Sequence, residues 1–188
     1  ALLFGWLSIT LATNQIATGL ALTIFGGGLS AFIGASYVGI GLEGIQSIYI
    51  PVLSDIPVIG RVLFQHDPLV YLSFVLFLAI YWVFRSTRLG LSIRAVGENP
   101  EAANAIGIPV QTIRYGAVLF GGAMTGMAGA YLSLVYTPMW TEGMSAGRGW
   151  IALALVVFAS WKAERIMLGA WLFGFASILH LVLQGTRF

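Results

Sequence analysis

Residues 68–84 read PLVYLSFVLFLAIYWVF, seventeen residues without a charge, bounded by Asp67 on one side and Arg85 on the other. Crossing the hydrocarbon of a bilayer takes about 20 apolar residues in helical form, with a range of about 17–25. This run meets that length, and it carries Tyr71, Tyr81 and Trp82 towards its two ends, where interfacial aromatics sit. Further charge-free runs cover residues 1–42, 115–141, 149–161 and 166–186. Over all 188 residues, 59% are hydrophobic and 9% charged, with a mean hydropathy of +0.92. A soluble domain carries about 25% charged residues, so this chain has too few polar side chains to cover itself in water. The composition predicts an all-α, polytopic helical membrane protein of about five to six transmembrane helices. A partial helix lies in 1–13, and crossings follow from Asn14, over 68–84, over 112–136, over the shorter 149–161, and from Ile166 to about Leu183. The chain opens ALLFGWLSIT, with no initiator Met and no charged n-region, and stops at LVLQGTRF directly after an apolar run. The expectation is therefore a fragment, 1–188 forming part of one transmembrane domain.

The connecting segments carry the charge. Residues 40–67 read as a loop, with Pro51, Pro57 and Gly60 among Glu43, Asp55, Arg61 and Asp67. The segment 85–114 holds Arg85, Arg88, Arg94 and Arg114, and the WKAER turn at 161–165 adds Lys162 and Arg165. These are six of the nine basic residues. Arg61, Arg148 and Arg187 remain for the other side. Basic residues in short loops stay cytoplasmic, which places the 86–109 loop and the WKAER turn on the cytoplasmic face. There are no cysteines, so no disulfide framework and no thiolate metal site are expected.

Within that loop, GENPEAANAIG at 97–107 is polar and carries two glutamates. Asn99 is a good N-cap, Pro100 suits the first helical position, and Glu101 favours the positive end of the helix dipole. Gly107 lies where such a helix stops, and Pro109 prevents its continuation. The spacing predicts a helix of about two turns, too polar to enter lipid and small enough in section to dock in a groove of another protein.

The EAANAIG stretch resembles the Glu-Ala-Ala, three residues, Gly pattern in the cytoplasmic loop of ABC importer permeases. TRLGLSIRAVGENPEAANAIGI (87–108) is similar to permeases of the branched-chain amino acid, ribose and nucleoside importer group. ATNQIATGLALTIFG (12–26) and GMSAGRGWIALALVVFASW (143–161) resemble the subgroup that works with basic-membrane-protein-type binding lipoproteins, associated mainly with nucleoside uptake. The resemblance covers nearly the whole chain. It implies a permease subunit of the bacterial inner (plasma) membrane without catalytic residues, moving a nucleoside or related small polar solute. Glu98, Asn99, Pro100, Glu101, Ala102, Ala103 and Gly107 would form the helix that couples it to a cytoplasmic ABC ATPase. The implied partners are that ATPase, a second permease subunit (identical or related), an extracytoplasmic substrate-binding lipoprotein and the lipid bilayer, with no nucleic acid. No cofactor is implied in this chain, ATP and Mg being bound by the partner ATPase. One departure is KAER after FASW, where the family's turn is richer in Pro and Gly.

Other polar residues in or beside apolar runs are weighed singly. Asn14 and Gln15 open a crossing and either cap it, bond between helices, or line the substrate path. Arg148 starts the 149–161 run, where it snorkels to the interface or, with Glu142, serves as a gate or a contact for the binding protein. His180 stands deep in the last run, where hydrogen bonding to a neighbouring helix is the simpler role. His66 has no residues nearby to complete a metal set. The GGG at 26–28 lacks the Gly-Lys-Ser/Thr of a phosphate loop and reads as a packing surface. Small residues recur at helical spacing as Gly26, Ser30 and Gly34, and as Gly122, Gly126 and Ala130. An ion-coupled secondary transporter needs intramembrane carboxylates or histidines, and no Asp or Glu lies in any crossing. An intramembrane enzyme lacks any Ser/His, HExxH or paired-carboxylate set. Simple sugars are the alternative solute class.

Overall fold

The computed structural model describes residues 1–47 and 65–185, which are almost entirely helical. The stretch 48–64, which carries Asp55, Arg61, Pro51, Pro57 and Gly60 of the expected loop, lies outside the described residues, as does Arg187. The chain begins with α1 (Leu2–Gly5), which widens into a π-helical turn over Trp6–Thr10. α2 (Gln15–Gly34) follows, then a 3₁₀ turn, Ala35–Tyr37. Next come α3 (Pro68–Ser86), α4 (Arg88–Glu98) and α5 (Pro100–Ala105). α6 (Val110–Tyr131) also ends in a π-helical turn, Leu132–Tyr136, and α7 (Arg148–Phe158) and α8 (Ala163–Gly185) complete the fold. Among the described residues four segments are long and apolar enough to cross a membrane: Gln15–Tyr37, Pro68–Ser86, Val110–Tyr136 and Ala163–Gly185. The expected crossing over 149–161 is shorter than a span. Its helix has 11 residues, about 16 Å at 1.5 Å per residue. It ends where Ser160 and Trp161 adopt positive φ, a conformation that breaks a helix.

The helices start where the sequence supplies caps. Asp67 accepts from the backbone N–H groups of Leu69 and Val70 at 3.1 Å each, with Pro68 in the first turn of α3. Asn14 does the same for α2, from Ile16 at 3.0 Å and Ala17 at 3.1 Å. The spans show their apolar side chains outwards, as helices facing lipid or other subunits do: Ile16, Ile24, Phe32, Phe175 and Ile178 are all more than half exposed. Contacts inside the bundle depend instead on close approach at small residues. Gly5 of α1 faces the ring of Tyr115 and Val118 on α6, and Gly169 of α8 faces Leu155 and Phe158 on α7. Of the two small-residue stripes, Gly122 lies against Ala1 and Gly34 lies against the indole of Trp140, whereas a Cβ at Gly26 or Gly126 would meet nothing within 4 Å.

Chain direction follows from these contacts. Ala1 lies beside Gly122 and Thr10 bonds Tyr115, so α1 runs antiparallel to α6 and delivers α2 to the end of the bundle where α6 begins. At the opposite end the segment after α2 meets the segment after α6. Leu42 N–H donates to Pro138 O at 2.9 Å, Ile45 N–H to Leu134 O at 3.1 Å, and isolated bridges join Val38 to Trp140 and Gly41 to Met139.

The segment 85–109, expected as a loop with one short helix, contains two. The additional one, α4, has its signal in Thr87, which caps it by accepting from Gly90 N–H at 3.1 Å, and in Leu89, Ile93 and Val96, spaced to share a face. Thr87 also donates its hydroxyl to Val83 O at 2.7 Å, which closes the C-terminal turn of α3. Gly90 is buried there, and a Cβ at this position would collide with the carbonyl oxygen of Val83, which is backbone and has little freedom to yield. Two variants test this corner by thermal unfolding of the purified chain in detergent. Thr87→Ala should lose about 1 kcal/mol with its cap. Gly90→Val should cost more, about 1–3 kcal/mol, by overpacking. Unfolding temperatures equal to that of the unsubstituted protein would show that the corner does not hold α3 and α4 together.

Candidate functional site

The polar segment forms a compact bracket at the end of the bundle where α6 begins. α4 packs on both α3 and α6, and α5 packs on α4 and α6. Arg94 of α4 reaches back to donate to Phe84 O, and its guanidinium lies 5.9 Å from the centre of the Phe84 ring. A basic side chain on the last carbonyls of α3 satisfies groups the helix itself leaves open. Arg85 bonds the Tyr81 hydroxyl at 2.6 Å, one turn back on the same helix.

Asn99 joins α4 to α5 by serving both. Its N–H donates to Ala95 O at 3.0 Å, closing α4, while its side-chain oxygen accepts from Ala102 N–H at 3.0 Å, opening α5. Pro100 occupies the first turn and Glu101 is the acidic residue there. α5 then stops at Gly107, whose φ of +84° belongs to the left-handed region that glycine tolerates. Gly107 N–H donates to Asn104 O and Ile108 N–H to Ala103 O, each at 3.0 Å. The helix has six residues, close to the length expected from the caps.

Burial divides α5 sharply. Ala103 is 2% exposed and is the buried residue of this helix, whereas Glu98, Asn99, Glu101, Ala102, Asn104, Ala105, Ile106 and Gly107 are exposed. Ile106 is 75% exposed, an apolar side chain displayed at the end of the helix. A small helix held by one alanine on its inner side, with a mixed acidic and apolar outer side, is built to be touched. The sequence located its caps and glutamates but not Ile106, for which only the apolar side chain just before a stop glycine was a signal.

The residues singled out elsewhere are divided between the two ends of the bundle. Asn14 spends its side chain capping α2, and with Gln15 it lies near Thr10 and Tyr115, at the bracket end of α6. Arg148 lies at the far end, its guanidinium 5.2 Å from the centre of the Tyr136 ring. The α6 segment Val110–Tyr136 has 27 residues, about 40 Å of helix, and separates the two. His180 pairs with Gln184 Nε2 at 3.0 Å within α8, rather than with another helix. His66 meets the Tyr71 ring edge-on at 6.5 Å.

Two features at the far end carried no sequence signal beyond residue type. Asp67, only 9% exposed, caps α3 and lies close to Tyr131 of α6. Trp140 is pinned between Gly34 and the Val38 bridge.

Comparison with known proteins agrees with this architecture. The family model for the branched-chain amino acid transport system permease component matches residues 1–186. A putative glucose ABC transporter permease of Haloferax volcanii is 40% identical over 185 residues, covering 96% of this chain and 56% of that protein. A nucleoside ABC transporter permease of Lactococcus lactis is 33% identical over 180 residues, covering 93% of this chain and 57% of its own. A guanosine ABC transporter permease of Bacillus subtilis is 32% identical over 184 residues, with coverage of 93% and 57%. The chain thus spans a little over half the length of these curated relatives. No solved structure matches it. With nearly every residue inside one family model and four helices able to span a bilayer, the chain belongs to the permease-component family of the branched-chain amino acid transport system.

Proposed function

We propose that the chain is part of the transmembrane subunit of an ABC importer in a bacterial inner membrane, and that it moves a nucleoside or related small polar solute. The observation that carries this reading is the bracket. Glu101, Ala102, Ala103 and Gly107 stand on the positions of the EAA-type pattern, and with Glu98, Asn99 and Pro100 they make up α5 and its two ends, a capped helix packed on both α4 and α6 with Ala103 as its buried residue. In this reading α5 seats in a cytoplasmic ATPase, with Glu101 and Ile106 as its contacts, and closure of the ATPase moves α4 and α6 together. The positive-inside balance of the sequence supports a cytoplasmic position for the bracket. Chemistry on ATP belongs to the partner, and this chain supplies a path and a lever. The remaining assembly consists of a second permease subunit and an extracytoplasmic binding lipoprotein.

The nucleoside assignment draws on the nucleoside and guanosine permeases among the relatives. A glucose-class sugar is the second reading, favoured by the 40% identity to the Haloferax volcanii permease.

Two experiments test these statements. Replacing Glu101 by Arg or Gly107 by Val in the assembled transporter should lower solute uptake by about tenfold or more, the loss of one well-placed contact, with membrane insertion unchanged. Uptake at the normal rate in both variants would remove α5 from the coupling role. Calorimetry of the cognate binding lipoprotein against nucleosides, bases and sugars should give micromolar or tighter affinity, about −8 kcal/mol, for a nucleoside. Affinity for glucose alone would transfer the assignment to sugars.

A further inference from the structure

The end of α2 opposite the bracket carries a surface that the helix bundle leaves open. Gly26, Ser30 and Gly34 recur every fourth residue and share one side of the helix. Trp140 covers Gly34 so closely that only hydrogen fits there, while Gly26 has no atom within 4 Å of a would-be Cβ. Between them lies a depression of about 420 Å³, open on one side and bounded by Gly26, Ser30, Gly34, Tyr37 and Trp140 together with two aliphatic side chains of α2. A smaller cavity of about 110 Å³ shares Tyr37 and Trp140 and has Ser133 in its wall.

Four properties choose the occupant. No charged side chain lines either cavity, so an ion entering would lose hydration without gaining a counter-charge. Two aromatic side chains, Tyr37 and Trp140, are in the wall, where they suit a planar ring, and Ser30, Tyr37 and Ser133 bring hydroxyls to it. The volume falls in the range of small-molecule sites, about 300–1,000 Å³. The indole of Trp140 lies against Gly34 and its backbone bridges Val38, which places it at the wall of both cavities. The surrounding backbone, 35–47 against 134–140, is irregular beside the ends of apolar helices. Non-helical backbone at such a position is tolerated where it is buried in protein or lines a water-filled space.

We propose that this cavity is a station on the solute path that takes a neutral solute with a planar heterocycle and a hydroxylated ring, the chemistry of a nucleoside, with Trp140 as the stacking partner and Ser30 as a polar contact. The inference rests on the importer reading and narrows it from a solute class to residues. It also separates the path from Asn14 and Gln15, which lie at the other end of α6.

The test is equilibrium binding of radiolabelled guanosine and of radiolabelled glucose to the whole permease–ATPase complex in nanodiscs, with the binding lipoprotein left out. Guanosine should bind saturably. Trp140→Ala should weaken it about tenfold or more, the scale of a lost base–aromatic stack, and Trp140→Phe should restore most of the affinity. Gly26→Leu should abolish binding by filling the cavity, and because no atom lies near that position it does so without a clash inside this chain. Guanosine affinity unchanged in Trp140→Ala and Gly26→Leu would overturn the site and leave the nucleoside reading in place. Binding of glucose but not guanosine, lost in the same variants, would overturn the nucleoside chemistry while retaining the importer. Saturable binding of neither solute to the unsubstituted complex would overturn the station altogether.

Discussion

The corner between α3 and α4 sets how the polar bracket leaves the apolar helix before it. An apolar helix leaving the bilayer exposes four carbonyls without intrahelical partners. Here Thr87 takes one of them, at Val83, and Arg94 takes another, at Phe84. Because the same threonine opens α4, the chain turns through a single residue, and Gly90 allows the two helices to touch. Asn99 repeats the device one helix later. The bracket is therefore held for a local reason: α3 ends on Thr87, which starts α4, and α4 ends on Asn99, which starts α5. A segment of the same composition without those shared caps would be a solvated loop, unable to transmit a displacement.

Hydrophobic burial does little of this work. Buried hydrophobic residues among those described are Val96, Ala103 and Ala159, two of them in the bracket and none in a span. Lipid is as apolar as leucine, so spanning helices gain nothing by hiding leucines from it, and their association draws on close backbone approach and hydrogen bonds. The contacts observed follow that logic. Gly5 admits Tyr115, and Gly169 admits Phe158. The large exposed side chains along α2 and α8 are what the bilayer and the neighbouring subunits of the proposed assembly would cover.

Much of this was legible in the residues, for physical reasons that also explain the gaps. Charge-free runs report spans directly, since a charge inside hydrocarbon is costly, and four of the expected crossings stand as long apolar helices. Caps are equally local, so Asn14, Asn99, Pro100 and Gly107 could be placed from their neighbours alone. α4 was missed because its pattern, with Leu89, Ile93 and Val96 among two glycines and two arginines, is weak beside the strong signals around it. The short α7 was overestimated because apolarity continues to Trp161, whereas the helix stops three residues earlier, at Phe158. Nothing local distinguishes Asp67 or Trp140 from any other boundary residue. Their partners, Tyr131 and Gly34, lie 64 and 106 positions away.

The two ends of the molecule are joined by α6. It begins just after the stop at Gly107, packs at its start against α4 and α5, and ends in the layer that holds Tyr136 and Trp140. A helix is stiff along its axis, so a displacement at the bracket reaches the far end about 40 Å away as a rigid shift or tilt. The far end is held differently, by a few backbone hydrogen bonds and one indole against a glycine, and its segment leaves α6 through a π-helical turn. Such turns interrupt the regular hydrogen-bond ladder and cluster at functional sites. Under the importer reading the asymmetry has a purpose: the end that receives force is clamped by shared caps, and the end that meets the solute is held by contacts weak enough to rearrange.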